Sequence, residues 1–330
     1  MHALHRRNVL AGALALTMAA SAAACGGSDE SKGANGLEES EITVGTMLVG
    51  DTAPLQLAIS RGLFKAEGLT VKTQVIQGGQ EAIPRLKGGT LDISVGNYVS
   101  FFAASTTGAL KVKIVAEASQ SAPKSHTLLV AKDSKIRTLA DLKDKKIAVN
   151  TKRNVATMLV RSAAKPAGVE LDENKNFIET PPPGMEAALK SGSVDAVQAI
   201  EPFGTQIQQK LGARMLADLS SGATADFPIS GYATTEDFAA KNPKTVAAFQ
   251  RAMVKAQGLA ADRKVVQDIL PKYARGIDAN VAATMVLTGY PTSLNATRLQ
   301  RVANVMQQFG IVDKPIDVKP LIAASPAASG

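Results

Sequence analysis

The chain has 330 residues, with 37 Lys and Arg against 29 Asp and Glu, a formal net charge of +8, one cysteine and no tryptophan. Its cations are interleaved with carboxylates, which describes a solvated surface and excludes a nucleic-acid-binding stripe. Of three histidines, His2 and His5 stand at the extreme N-terminus, and the body of the chain keeps only His126. A Ser-His-Asp or Cys-His nucleophile system needs a histidine beside its nucleophile, and thiolate or imidazole metal sites need several such ligands together; with His126 read as a structural imidazole, the composition argues against both. A carboxylate-only enzyme or an oxygen-ligand cation site stays open on composition, but no calcium-loop spacing, Gly-x-x-x-x-Gly-Lys loop or Gly-x-Ser-x-Gly elbow occurs.

At the N-terminus, Arg6-Arg7-Asn8-Val9-Leu10 opens an apolar stretch to Ala20, and Ala22-Ala23-Ala24-Cys25 leads into Gly26-Gly27-Ser28-Asp29-Glu30. A basic start, a short apolar core and small residues before a cut predict an export signal over 1–24 and a flexible tether over 25–40. Cys25 reads two ways. It resembles the lipidated cysteine of a bacterial lipobox, with Ala22 where Leu is usual, which implies a lipid anchor on the extracytoplasmic face of the membrane. Alternatively, Ala22-x-Ala24 is an ordinary signal-peptidase site that releases a soluble secreted or periplasmic protein. Arg6-Arg7 also resembles a twin-arginine signal. Loss of Arg6 and Arg7 takes the formal charge from +8 to +6. Roughly three hundred residues remain, enough for one large or two medium domains, and no later apolar run approaches a membrane span.

In chain order, apolar runs at 42–47, 69–76, 91–95 and 112–116 predict strands, separated by helices over 54–66, 80–88 and 97–107. This is a βαβ series and implies a parallel sheet. His126–Val130 is strand-like, with His126 read as a structural imidazole at its start. A second series follows, with strands at 146–150, 177–179 and 194–200 and helices over 154–166, 184–191 and 203–211. Ile229–Thr234 is strand-like again. Beyond Pro243 the pattern is helical, over 246–260, 280–287 and 296–309, where apolar residues at helical spacing predict packing.

The second series repeats the first. Leu86-Lys87-Gly88-Gly89-Thr90-Leu91-Asp92-Ile93 matches Leu189-Lys190-Ser191-Gly192-Ser193-Val194-Asp195-Ala196, at an offset of 103 residues. So long a period suits two similar α/β lobes and is too long for a solenoid. Ligands of open parallel sheets lie outside the carboxyl ends of the strands, so two facing lobes predict a cleft. The offset pairs Asn97 and Tyr98 with Ile200 and Glu201, and Asn97 and Tyr98 are expected to look across the cleft at Glu201, Pro202 and Phe203.

Three segments together, Ala53-Pro54-Leu55-Gln56-Leu57-Ala58-Ile59-Ser60-Arg61-Gly62-Leu63-Phe64-Lys65-Ala66-Glu67-Gly68-Leu69, Gly78-Gly79-Gln80-Glu81-Ala82 and Gly88-Gly89-Thr90-Leu91-Asp92-Ile93, carry a family resemblance. They resemble the nitrate/sulfonate/taurine solute-binding proteins of ABC importers, over about Ile42 to Phe309. The resemblance implies an α/β, two-lobed type II periplasmic-binding-protein fold with two hinge crossings: a first lobe over 41–125, a second over 126–228 and a mostly helical return to the first over 229–330. It implies no cofactor and no catalytic residue. Its partners would be a small-molecule solute and ABC permease and ATPase subunits, with the chain a monomer. The solute would be a small organic anion such as a sulfonate, taurine or nitrate; a thiamine-pyrimidine-like or other heterocyclic solute, or a role as tethered sensor, are the alternatives. Enzymes on this fold depend on reactive cysteine or histidine residues that are missing here.

Loop position nominates the contacts. Asp51 and Thr52 lie between the first strand and its helix, Gln77, Gly79 and Gln80 after the second, Asn97 and Tyr98 after the third, and Ser119 and Gln120 after the fourth. In the second lobe, Thr151, Arg153 and Asn154 follow a strand and open a helix, with Arg153 the candidate anion fork. Glu201 and Phe203 complete the set. A carboxylate at Glu201 would repel a bare anion unless a cation such as Arg153 or Lys152 paired with it.

Overall fold

The computed structural model describes residues 36–274 and 276–324. The segment expected to be an export signal, Cys25 and most of the expected tether lie outside the described residues. The chain runs β1 (Glu41–Thr46), α1 (Ala53–Ser60), α2 (Leu63–Ala66), β2 (Thr70–Val75), α3 (Gly79–Lys87), β3 (Ile93–Asn97), α4 (Tyr98–Thr106) and β4 (Val112–Gln120). It then continues through β5 (His126–Val130), β6 (Ile147–Val149), α5 (Val155–Ala164), β7 (Phe177–Glu179), α6 (Met185–Ser191), β8 (Ala196–Ile200), α7 (Phe203–Leu211) and β9 (Arg214–Asp218). The last stretch is β10 (Pro228–Thr235), α8 (Glu236–Lys241), α9 (Pro243–Ala260), α10 (Arg263–Tyr273), α11 (Ala279–Thr284) and α12 (Ala296–Gln308).

Two five-stranded sheets result, ordered β2-β1-β3-β10-β4 and β7-β6-β8-β5-β9. In each, three parallel strands are followed by one antiparallel strand, β10 or β5, that enters from the other half of the molecule. The chain therefore crosses between sheets twice, after β4 and after β9. At the crossing, Ser121 ties the segments together: its N–H donates to the Phe227 carbonyl at 2.8 Å, and its hydroxyl donates to the Thr224 carbonyl at 2.8 Å.

The repeated motif has a structural job. Asp92 accepts the Thr43 N–H at 2.7 Å and its own N–H donates to the Thr43 carbonyl at 2.9 Å, which locks the start of β3 to β1. Asp195 does the same with Lys146, at 2.8 Å in each direction, and locks β8 to β6. Gly89 and Gly192, at φ +70° and +72°, reverse the chain in the left-handed region that favours glycine.

Gly62 is in the same region, at φ 68°, so the helix expected over 54–66 is broken into α1 and α2. β9, α8 and α10 are elements that the apolar pattern did not suggest. The returning tail packs on the first sheet: Phe249 of α9 stacks on Phe64 at 5.3 Å and meets Tyr232 of β10 edge-on at 5.5 Å. Burying these rings anchors α9 to α2 and β10, and α9 packs against α1 and β4 as well.

Candidate ligand-binding site

A cavity of about 50 Å³ lies where the carboxyl ends of the parallel strands of both sheets face each other. Met47, Val49, Asp51 and Thr52 follow β1, Gly78 and Gly79 follow β2, and Asn97 ends β3. From the second half come Asn150 after β6, Val155 and Ala156 at the start of α5, and Gln198 and Ile200 of β8. The two antiparallel strands run the opposite way, so their beginnings reach this same edge: His126 opens β5, and Ile229 and Ser230 lie at the start of β10. A cavity this size holds a few water-sized bodies.

Four helices, α1, α3, α4 and α5, begin at this wall. Their first N–H groups and aligned peptide dipoles give the cavity a positive bias. Asn97 caps α4, its Oδ1 accepting the Ser100 N–H at 2.9 Å, and also accepts the Val155 N–H of the opposite half at 3.4 Å. Its Nδ2 makes no hydrogen bond among the described residues. Asp51 Oδ2 accepts from the Ser119 hydroxyl at 2.5 Å and from the Ser230 hydroxyl at 3.4 Å. His126 Nδ1 is 3.1 Å from the Ser125 hydroxyl. Burial pushes its pKa below the ordinary imidazole value, with the Asp51 and Asp218 carboxylates opposing, so the ring is neutral at neutral pH. The wall holds no Tyr, Phe or Trp among the described residues.

The halves also touch around the rim. The Gly50 N–H donates to the Glu201 carbonyl at 2.9 Å, the Gln80 amide to the Arg153 carbonyl at 3.3 Å, and the Asn150 amide to the Gln77 carbonyl at 3.3 Å. Gly78 makes this approach possible, because a Cβ there would meet the Asn150 Nδ2 at 3.3 Å and the Thr151 Oγ1 at 3.5 Å.

Of the residues nominated from sequence, Asp51, Thr52, Gly79 and Asn97 stand at the cavity wall. The Thr52 hydroxyl is turned to its own backbone and donates to the Met47 carbonyl at 2.6 Å. Ser119 stands behind Asp51, and Thr151 and Asn154 brace the turn into α5, with the Asn154 Oδ1 capping that helix. Gln77 and Gln80 are exposed rim contacts. Gln120 pairs its backbone with Gly289.

Four others depart from the expected arrangement. Tyr98 is fully buried away from the cleft, lying over Gly231 and donating to Glu117 Oε2 at 3.0 Å, because the first residue of α4 turns back into its own lobe. Phe203 fills an apolar cluster with Val49, Leu270, Ile277 and Met285, where its ring is out of water. Arg153 is exposed at φ 50° and outside the wall; its N–H, not its guanidinium, is engaged, donating to Glu173 at 2.5 Å. Glu201 is buried at the closure contact, its carboxylate accepting from Thr205 N–H and hydroxyl at 3.2 and 3.0 Å.

His126, Gln198 and Ser230 are wall residues that loop position did not nominate, and Asn150, at the head of the loop that gave Thr151, Arg153 and Asn154, is the residue of that loop that reaches the wall. The signal for His126 and Ser230 was available: a strand entering a parallel sheet from the other lobe runs antiparallel, so its first residues share the edge with the others' last. Gln198, inside a strand, had no comparable signal.

Two sheets of like topology, joined by two crossings around a cavity walled by both, define a two-lobed solute-binding fold of the periplasmic type. The model of the NMT1-like family matches residues 35–270, and the chain belongs to that family. It is 26% identical over 251 residues to the "Putative aliphatic sulfonates-binding protein" of Escherichia coli, covering 74% of this chain and 76% of that one. A protein of the same name from Bacillus subtilis is 26% identical over 311 residues, 91% of this chain and 90% of that one. The solved structure of the alkanesulfonate-binding protein SsuA from Xanthomonas axonopodis pv. citri, bound to MOPS, superposes with a TM-score of 0.72 at 20% identity, covering 86% of this chain and 98% of that one.

Proposed function

We propose that the protein is the extracytoplasmic binding component of an ABC importer, capturing a small organic anion of the sulfonate, taurine or nitrate kind between its lobes and handing it unchanged to a permease driven by an ATPase. The observation that carries this reading is the cavity between the two sheets, walled from both sides and entered by the starts of four helices. A solute touching both walls stabilises the closed arrangement over the open one, which gives a permease a shape to recognise. The wall's lack of Tyr, Phe and Trp among the described residues removes the stacking surface that a pyrimidine would use. The export signal and Cys25 support anchoring by lipid at the outer face of the membrane.

Thermal-shift titration of the purified protein against sulfonates, taurine, nitrate, hydrogencarbonate, pyrimidines and aromatic acids tests the reading. A cognate anion at a hundred times its Kd raises stability by about 2.7 kcal/mol. Stabilisation by pyrimidines alone, or chemical turnover of a bound solute, would overturn it.

A further inference from the structure

We infer that the captured solute is a small anion carrying its own hydrogen-bond donor, an ammonium, N–H or O–H group met by Asp51, and that Asp51 excludes anions that lack one. This inference rests on the small-anion reading above and narrows it. Asp51 lines the cavity, and among the described residues no Lys, Arg or His lies within ion-pair distance of its carboxylate. Its only hydrogen-bond donors there are the Ser119 and Ser230 hydroxyls, both on Oδ2. On the facing wall, Gln198 is 1% exposed and its Oε1 has no partner among the described residues.

The cavity thus presents acceptors from both lobes beside the helix starts that favour negative charge. An aprotic anion would satisfy the helix starts and be repelled by the half-buried Asp51 carboxylate, a repulsion that water inside so small a cavity screens poorly. A donor on the same solute turns that repulsion into a charge-assisted hydrogen bond. A buried acceptor left unmatched is what gives such a site its discrimination, because the analogue lacking the donor strands it.

Matched pairs test this by titration calorimetry on the exported protein: 2-aminoethanesulfonate against ethanesulfonate, and planar hydrogencarbonate against planar nitrate. The donor-bearing member of at least one pair should bind at least about a hundredfold tighter than its aprotic twin. Asp51→Asn keeps the shape and an acceptor for Ser119 while supplying an N–H, so it should shrink that ratio to less than about tenfold or reverse it. The wild-type ratio stands whether or not the variant folds. If any of the four binds and neither donor-bearing member exceeds its aprotic twin by about a hundredfold, the inference is overturned and the anion reading stays intact. Binding of none of the four, with or without binding of a neutral or cationic heterocycle, would overturn both.

Discussion

The backbone N–H of Gly50 donates to the backbone carbonyl of Glu201 at 2.9 Å, joining the loop after β1 in one half to the end of β8 in the other. Glu201 is held at this junction by its side chain as well, through the Thr205 N–H and hydroxyl, with Arg263 nearby. Burial outweighs these partners and pushes its pKa up to about 7. Between the ordinary glutamate value and about 7, the folded protein keeps a proton that the unfolded chain releases. Stability therefore falls as pH rises through that window and levels off above it, by up to about 3 kcal/mol from this one group. Glu117, also raised to about 7, adds a decline in the same direction. Glu201→Gln should flatten its share of the slope in urea melts between pH 5 and 8, with a neutral amide stable on both sides of the window. An unchanged slope would show that Glu201 is solvated.

Tyr98 and Arg153 separate stability from binding. Tyr98→Phe removes the buried donor to Glu117 Oε2 and should cost about 1–3 kcal/mol of unfolding free energy, while solute affinity moves less than about threefold, since the ring is away from the cavity. Arg153→Gly should instead stabilise the protein by about 1 kcal/mol, because the left-handed backbone at φ 50° suits glycine. It too should leave affinity nearly unchanged. A tenfold loss of binding in either variant would place that side chain in solute recognition after all.

Asp195→Ala should loosen the second sheet alone. It removes the carboxylate that accepts the Lys146 N–H at 2.8 Å, at a cost of about 1–3 kcal/mol. Hydrogen exchange should speed up in β6 and β8 while β1 and β3 stay protected. Asp92→Ala should produce the mirror result, with β1 and β3 exposed to exchange and β6 and β8 unaffected. Uniform loss of protection across both sheets in either variant would mean that the two halves unfold as one.

Much of the architecture was legible because its signals are local. Alternation of apolar runs with helical spacing marked most strands and helices, and the Gly-x-φ-Asp motif recurred at one offset because Asp92 and Asp195 perform the same backbone lock. The apolar pattern over 54–66 reads as one helix, but the left-handed backbone at Gly62 splits it in two. β9, α8 and α10 give no such signal: β9, Arg-Met-Leu-Ala-Asp, is a half-buried edge strand, α8 is a short helix with no fully buried residue, and α10 carries Pro271 within a mixed sequence.

The site was less legible, since loop position names a neighbourhood and not a direction. Asn97 and Tyr98 are adjacent, yet one reaches the cavity and the other is sealed under Gly231 beside Glu117. The chain's covalent order determined two like lobes and the scarcity of the histidines and thiols that common hydrolytic and metal chemistries need. Only the tertiary structure decided that His126, Asn150, Gln198 and Ser230 join Asp51 around one cavity while Arg153 stays outside. Secondary structure follows from interactions a few residues apart, whereas a binding wall is assembled from strand ends distant in sequence, whose side-chain directions are fixed by packing.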